Sequence, residues 1–257
     1  MKRKNDRILV VDIGNRFVKI YIVVGDELAG RWIFGRERAN WDFKLAEIAK
    51  RSACASGVIV SVVPADTKKA ISSFKQVGVE YLVVGGEMAL PISLNYASPK
   101  YLGADRIADA VGAVEFWGER SSQIIIVDVG TAITVDLVRG KEFLGGVIMP
   151  GIDMMKDALH QKAAQLPQTK KEVALNFPGR GTEQYIVPGS ISATVGGIMF
   201  ARERFLKNPD DALLLLTGGD CEKVSKFLKL PHELDPLLLV RGAIAIYDFT
   251  VKNGAKR

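Results

Sequence analysis

The chain has 257 residues, 48% of them hydrophobic and 25% charged, with a formal net charge of +6. That balance suits one large or two modest globular domains and excludes disordered and collagen-like classes. The excess charge sits partly in the opening run Lys2-Arg3-Lys4, followed by Arg7; it reads as a solvated tail, since no stretch interleaves basic and aromatic residues as a nucleic-acid surface would. No apolar run reaches the roughly 18–20 residues of a membrane span, and the short one after the basic start contains Asp12 and lacks a cleavage site. Cys54 and Cys221, with His160 and His232, have no metal-ligand spacing, and a reducing cytoplasm is the expected compartment.

In chain order, Ile8–Val11 is a continuous β-branched run, as expected for a strand buried on both faces. Gly14-Asn15 breaks it and Phe17–Val24 resumes as a second strand of a hairpin. A helix is expected over Trp41–Lys50, a strand over Gly57–Val63, a helix over Ala65–Gln76 and a strand over Tyr81–Val84. Pro91–Leu102 reads as loop, and a helix opens at Gly103 and runs to about Trp117. Strands follow at Gln123–Asp128, Ile133–Val138 and Phe143–Ile148, then helices near Asp153–Ala164 and Ser190–Leu206. A strand at Ala212–Leu216 and helices near Cys221–Leu228 and Leu237–Val251 close the chain. Hairpin clusters alternating with helices predict mixed α/β sheets in two halves.

The halves repeat. With Asp12 laid on Asp128, Ile8-Leu9-Val10-Val11-Asp12-Ile13-Gly14-Asn15 falls on Ile124-Ile125-Ile126-Val127-Asp128-Val129-Gly130-Thr131. Each copy ends a buried strand in Asp-x-Gly and starts another. This predicts a duplicated domain with a boundary near Glu119–Ser122, giving domains 1–120 and 121–257. Such a strand delivers a carboxylate to the sheet end, where it can hold a hydrated cation. The glycine permits positive φ and lets backbone N–H groups approach phosphate oxygens. Asn15 and Lys19 in the first copy, and Thr131 and Thr134 in the second, add donors. One Asp-x-Gly alone is better explained as an ordinary hairpin turn; two in register reverse that preference and favour two phosphate turns facing one cleft, able to hold a triphosphate and its metal.

Two further stretches leave alternatives open. Thr217-Gly218-Gly219-Asp220 joins a strand to a helix, where glycines admit a nucleoside or phosphate, or where Asp220 is simply an N-cap. Tyr101-Leu102-Gly103-Ala104-Asp105-Arg106 starts a helix between the two halves. There Asp105 can take an acceptor hydroxyl's proton and Arg106 can clamp a carboxylate, or the pair is a capping aspartate and a surface arginine.

The order of Asp12-Ile13-Gly14-Asn15, Gly103-Ala104-Asp105-Arg106, Asp128-Val129-Gly130-Thr131-Ala132, Gly145-Gly146-Val147-Ile148-Met149-Pro150-Gly151 and Thr217-Gly218-Gly219-Asp220 resembles the type III pantothenate kinases over nearly the whole chain. The resemblance implies duplicated ribonuclease H-like domains of the actin-like ATPase class, with mixed β-sheets flanked by helices. It implies phosphorylation of pantothenate by ATP, the first step of coenzyme A synthesis, in a homodimer using Mg²⁺ and a monovalent cation, K⁺ or NH₄⁺. Asp12, Gly14, Asn15 and Lys19 would cradle ATP phosphates, Asp12 reaching Mg²⁺ through them. Gly130, Thr131, Gly218 and Gly219 would also bind ATP, and Asp128 would hold the monovalent cation. Asp105 would be the general base. Gly103, Ala104 and Arg106 would contact pantothenate, Tyr96 would line its pocket, and Thr182 would reach it from the partner subunit. Three departures stand out: Arg16 replaces the family's threonine after Asp-x-Gly-Asn, Pro188 is expected to stop or kink the helix after Thr182, and Arg241-Gly242-Ala243 stands where Gly-Leu is usual. These departures leave open a non-catalytic binding relative of the same fold, or a kinase for another small hydroxy acid.

Overall fold

The computed structural model describes residues 6–38, 40–169, 176–208 and 211–254; the basic run Lys2–Lys4 lies outside them. By internal contacts the chain forms two compact units. Unit 1 takes in Met1–Trp117, Lys141–Phe143 and Leu237–Arg257, and unit 2 takes in Gly118–Gly140 and Leu144–Pro236. The expected boundary at Glu119–Ser122 lies next to the first passage of the chain from unit 1 to unit 2, while the C-terminal residues group with unit 1.

Unit 1 is built on β1 (Arg7–Ile13), β2 (Phe17–Val24), β3 (Glu27–Gly35), β4 (Ser56–Ser61) and β5 (Glu80–Val83), in the order β3-β2-β1-β4-β5. The first three strands are antiparallel neighbours, while β4 runs parallel to β1 and β5 parallel to β4. Helices α1 (Trp41–Arg51), α2 (Pro64–Gln76) and α3 (Ala104–Trp117) pack against the sheet, and two-residue β6 (Ser93–Leu94) precedes α3. Ile8 to Ile13 are all buried because the central strand is covered on both faces. Leu9, Val11, Val18 and Ile20 pack with Trp41, Leu45 and Ile48 of α1 and Phe74 of α2. Gly57 of β4 is bare for the same reason: a Cβ there would lie 2.7 Å from the Phe74 ring.

Unit 2 repeats the plan with β7 (Gln123–Val129), β8 (Ala132–Arg139), β9 (Glu142–Pro150), β10 (Leu213–Thr217) and β11 (Glu233–Leu234). Their order is β11-β10-β7-β8-β9, with β6 beyond β9 pairing with its first residues, Glu142 and Phe143. Again the first hairpin is antiparallel and the fourth strand runs parallel to the first. The duplication foreseen from eight residues thus extends to whole sheets: two mixed sheets, each flanked by helices.

Helices α4 (Ile152–Lys162), α5 (Thr182–Phe205) and α6 (Cys221–Ser225) serve unit 2. Here one expectation is corrected, because α5 begins at Thr182 and runs through Pro188. A proline there forfeits one i→i−4 bond, but Ile186, Val187, Pro188 and Ile191 are buried together, and packing of that face outweighs the lost bond. Strand β3 has no counterpart in the sequence reading. It is an edge strand with mostly exposed or half-exposed residues, so it carries no buried apolar run. Among the described residues no helix is long and apolar enough to cross a membrane.

The last helix, α7 (Leu238–Gly254), crosses α3 at a contact made of backbone. A Cβ on Gly242 would run into the Ala108 carbonyl, and one on Gly112 would meet the Leu238 carbonyl and, at 3.2 Å, the Gly242 nitrogen. Neither obstacle is a flexible side chain that can swing aside. Gly242→Ala is therefore expected to cost about 1–3 kcal/mol through overpacking, read as a lower Tm in thermal unfolding; an unchanged Tm would contradict this account of the crossing.

Candidate active site

In unit 1, β1 ends at Asp12-Ile13 and the chain turns through Gly14-Asn15-Arg16-Phe17 to re-enter the sheet at Val18, which pairs with Ile13. The Gly14 N–H donates to the Phe17 carbonyl at 3.0 Å, closing the turn. Asp12 is buried, and Lys19, opposite it in the register, donates from Nζ to its Oδ2 at 2.9 Å. The Val62 N–H donates to the Ile13 carbonyl at 3.2 Å. Beyond β3, the Arg36 Nε–H donates to the Asn15 carbonyl at 2.7 Å and the Arg36 backbone N–H to the Arg16 carbonyl at 2.9 Å. Arg16 itself is exposed, its guanidinium 5.6 Å over the Phe17 ring.

Unit 2 carries the second turn, one residue shorter: Gly130-Thr131-Ala132 joins the paired residues Val129 and Ile133. The Gly130 N–H donates to the Ala132 carbonyl at 3.0 Å, the Asp220 N–H to Val129 O at 3.0 Å, and the Gly151 N–H to Thr131 O at 3.1 Å. Two glycines hug this turn. Gly218 has φ +91°, and a Cβ on it would collide with Asp128 Oδ1 and the Val129 backbone; one on Gly151 would strike the Gly130 and Thr131 carbonyls. Gly218 therefore closes over the Asp128 turn, and Asp220 contributes its backbone N–H to Val129 rather than a side-chain cap to α6. Asp128 is half-buried at the end of β7, beside Thr217 of β10.

The turn glycines need a corrected reason. Neither Gly14 nor Gly130 has positive φ, and a Cβ would come no closer than 3.6 Å to the Phe17 carbonyl or 3.5 Å to the Ala132 carbonyl. The fold tolerates a side chain at both, so neither steric crowding nor positive φ calls for glycine there, and the bare backbone leaves both turns open to close approach. Among the described residues no group of three or more His, Cys, Asp or Glu comes together to hold a metal. The acidic residues present fit Mg²⁺ held mainly by nucleotide phosphates, the manner in which that ion is commonly bound.

The Gly103-Ala104-Asp105-Arg106 stretch sits wholly in unit 1. Gly103 precedes α3, its carbonyl taking the first helical bond from the Ile107 N–H at 3.1 Å. Asp105 lies in the first turn, and its Oδ1 accepts the Arg106 N–H at 2.8 Å. A Cβ on Gly103 would run into that same Oδ1 and lie 3.7 Å from Val62 Cγ1, so a side chain there would displace the carboxylate from this position. Burial raises the Asp105 pKa above its ordinary value of 3.8, and the Asp12 carboxylate adds to the rise, while the Arg106 N–H and charge oppose it. Arg106 is no surface arginine: it is 7% exposed, with its guanidinium 5.5 Å over the ring of fully buried Phe143. Tyr96 leans on the same ring, centroids 6.4 Å apart, in a segment tied to it by the Asn95 N–H donating to the Phe143 carbonyl.

Unit 1 thus brings together Asp12, Gly14, Asn15 and Lys19 in one turn and Gly103, Ala104, Asp105 and Arg106 in one helix start, with Tyr96 nearby through Phe143. Unit 2 brings together Asp128, Gly130, Thr131, Gly218 and Gly219. Thr182 stands apart from that group as the exposed first residue of α5. Phe143 had no signal in the sequence, since only pairing through space sets it beneath Arg106. Gly151 was visible as the end of the Gly-Gly-x-Ile-x-Pro-Gly stretch, but its hydrogen bond to Thr131 was not.

Comparison with known proteins agrees with this arrangement. The Type III pantothenate kinase family matches residues 8–203. The type III pantothenate kinase of Finegoldia magna is 33% identical, covering 95% of this chain and 97% of its own. Among solved structures, component A of (R)-2-hydroxyglutaryl-CoA dehydratase from Acidaminococcus fermentans superposes with a TM-score of 0.56 at 14% identity, covering 98% of this chain and 100% of that one. The ROK hexokinase of Thermus thermophilus gives 0.55 at 13%, covering 95% and 99%. At such identities these two establish the fold alone, that of the actin-like ATPases. With two Asp-x-Gly turns on duplicated sheets, an intact Gly-Ala-Asp-Arg box and a family match over most of its length, the chain belongs to the type III pantothenate kinases.

Proposed function

We propose that this chain transfers the γ-phosphoryl group of ATP to the primary hydroxyl of pantothenate, giving 4'-phosphopantothenate and ADP, with Asp105 as general base. The observation that carries the reading is the state of Asp105: a half-buried carboxylate beside a buried arginine, its basicity raised by loss of solvent around it. As the hydroxyl attacks the γ-phosphorus, its proton passes to Asp105. Arg106, held over Phe143, takes the pantothenate carboxylate, and Gly103, Ala104 and Tyr96 line the acceptor. Asp12, Gly14, Asn15 and Lys19 are assigned to ATP phosphates, as are Gly130, Thr131, Gly218 and Gly219. Mg²⁺, reached by Asp12 through the phosphates, and a monovalent cation, K⁺ or NH₄⁺, at Asp128 would neutralise charge developing on the transferred group. Such transfer depends mainly on positioning and charge neutralisation. Free, buried Cys54 and Cys221, both with thiol pKa raised by burial, suit a reducing cytoplasm.

A homodimer fits the surface of unit 2. Along α5, Tyr185, Ala193, Met199 and Phe200 are exposed at helical spacing with Gly189 and Gly196 between them, and Phe200 is 65% exposed. Large apolar side chains clustered on one outward face mark an association surface, and Thr182 opens the same helix, where the family places its contact with a partner's pantothenate. Phe200→Glu is expected to shift the protein from dimer to monomer in light scattering, with Tm of the monomer readable by calorimetry; an unchanged dimer would rule this face out.

Asp105→Asn separates chemistry from stability. Loss of the base is expected to lower kcat by about 100- to 10,000-fold, measured by ADP release with pantothenate. The same change is expected to raise Tm at neutral pH. A carboxyl whose folded pKa is raised penalises the fold when ionised: the penalty is absent below the ordinary aspartate value, grows as pH rises towards the folded one and is constant above it. The Tm advantage of the variant should therefore vanish in acid, and wild-type kcat should fall as pH drops through the raised pKa. A variant with normal turnover would sink the assignment of Asp105.

A further inference from the structure

The two turns are held from behind in the same way but by different means. In the second, the carbonyls of Val129 and Thr131 both accept backbone N–H groups, those of Asp220 and Gly151. In the first, Ile13 stands where Val129 does and accepts the Val62 backbone N–H. Asn15, which stands where Thr131 does, has its carbonyl held by a side chain, Arg36 Nε at 2.7 Å. Arg36 is the first residue past β3 as Gly151 is the first past β9, so both anchors come from the same place in the repeat. The first turn is the one with the extra residue, and it is the one needing a longer reach.

Arg36 is itself fixed. Its Nη1 donates to Asp66 Oδ2 at 3.2 Å, and Lys69 Nζ lies 2.8 Å from Asp66 Oδ1. Asp66 is 3% exposed, in the first turn of α2. Burial alone would push its carboxyl up, but hydrogen bonds and charge from Lys69 and Arg36 outweigh that and hold it below the usual value. The guanidinium thus meets a carboxylate that stays ionised and cannot move far. Across a trans peptide the C=O and the following N–H point in opposite directions. Holding the Asn15 and Arg16 carbonyls towards Arg36 turns the N–H groups of Arg16 and Phe17 away from it.

We propose that Arg36, oriented by Asp66, is a positioning residue for nucleotide binding. It aims the peptide N–H groups of the first turn at the phosphates and sets ATP affinity without touching ATP. The inference rests on reading Asp12–Lys19 as a phosphate turn. It also gives Asp66 a role, as the buried anchor that links α2 to that turn.

The test is steady-state kinetics and ATP calorimetry on the intact protein with Arg36→Met, Arg36→Lys, Asp66→Asn and Lys69→Met, each checked by its Tm. Arg36→Met and Asp66→Asn are expected to raise the ATP KM and Kd by about tenfold, with kcat and the pantothenate KM within about twofold of wild type. Arg36→Lys keeps a cation for Asp66 but cannot place the Nε–H on Asn15, so its ATP KM should also rise while Tm holds; it decides the matter if Arg36→Met fails to fold. Lys69→Met removes the other cation from Asp66 without touching the turn and should leave the ATP KM unchanged. A folded Arg36→Lys with wild-type ATP affinity, or equal losses for ATP and pantothenate, would overturn the proposal while leaving the kinase reading intact. Wild-type protein that binds no ATP would instead overturn the phosphate-turn reading and the brace with it.

Discussion

A buried strand hydrogen-bonded on both edges, antiparallel on one side and parallel on the other, is the constraint on which each unit is built. β1 sits between β2 and β4, and β7 between β8 and β10. A strand so enclosed is apolar along its middle, Ile8–Val11 and Ile124–Val127, and a polar residue returns only near its end, at Asp12 and Asp128. The turn that follows is then placed by the sheet rather than by its own sequence. Its carbonyls are tied back to neighbouring segments, which leaves the opposite edges of those peptides to face outward. Chemistry at a sheet end follows from backbone that has already satisfied its hydrogen bonds inward.

Asp105 shows the cost of the arrangement. It stands at a helix start near Gly103, where a side chain would push on its Oδ1, and burial makes its ionised form unfavourable. A carboxylate kept there for stability alone would be better placed in water. Its place beside Arg106, itself packed on Phe143, with a raised pKa, is what the proposed role of general base needs.

Much of this was legible in the sequence because the central strands announce themselves. Ile8–Val11 and Ile124–Val127 are continuous β-branched or aliphatic runs, and the Asp-x-Gly that ends each gave the duplication. The Gly-Ala-Asp-Arg box was visible by its composition at a helix start. What escaped has a physical reason in each case. Strand β3 is an edge strand whose side chains mostly meet solvent, so no hydrophobic period marks it, and with it went Arg36. The start of α5 was hidden by Pro188, whose local penalty is offset by packing that no local rule reports. The glycines at positions 14 and 130 were read as permitting positive φ and close approach of a ligand; neither uses positive φ, so only the second reason stands. The positive φ belongs to Gly218, which lies over the second turn from a distant segment.

The central claim, that this chain phosphorylates pantothenate, is tested most directly by product analysis. The purified protein would be incubated with ATP, Mg²⁺, K⁺ and pantothenate, and the mixture followed by mass spectrometry. The account predicts 4'-phosphopantothenate accumulating in step with ADP; ATP left intact, or ADP formed with no phosphorylated pantothenate, would contradict it.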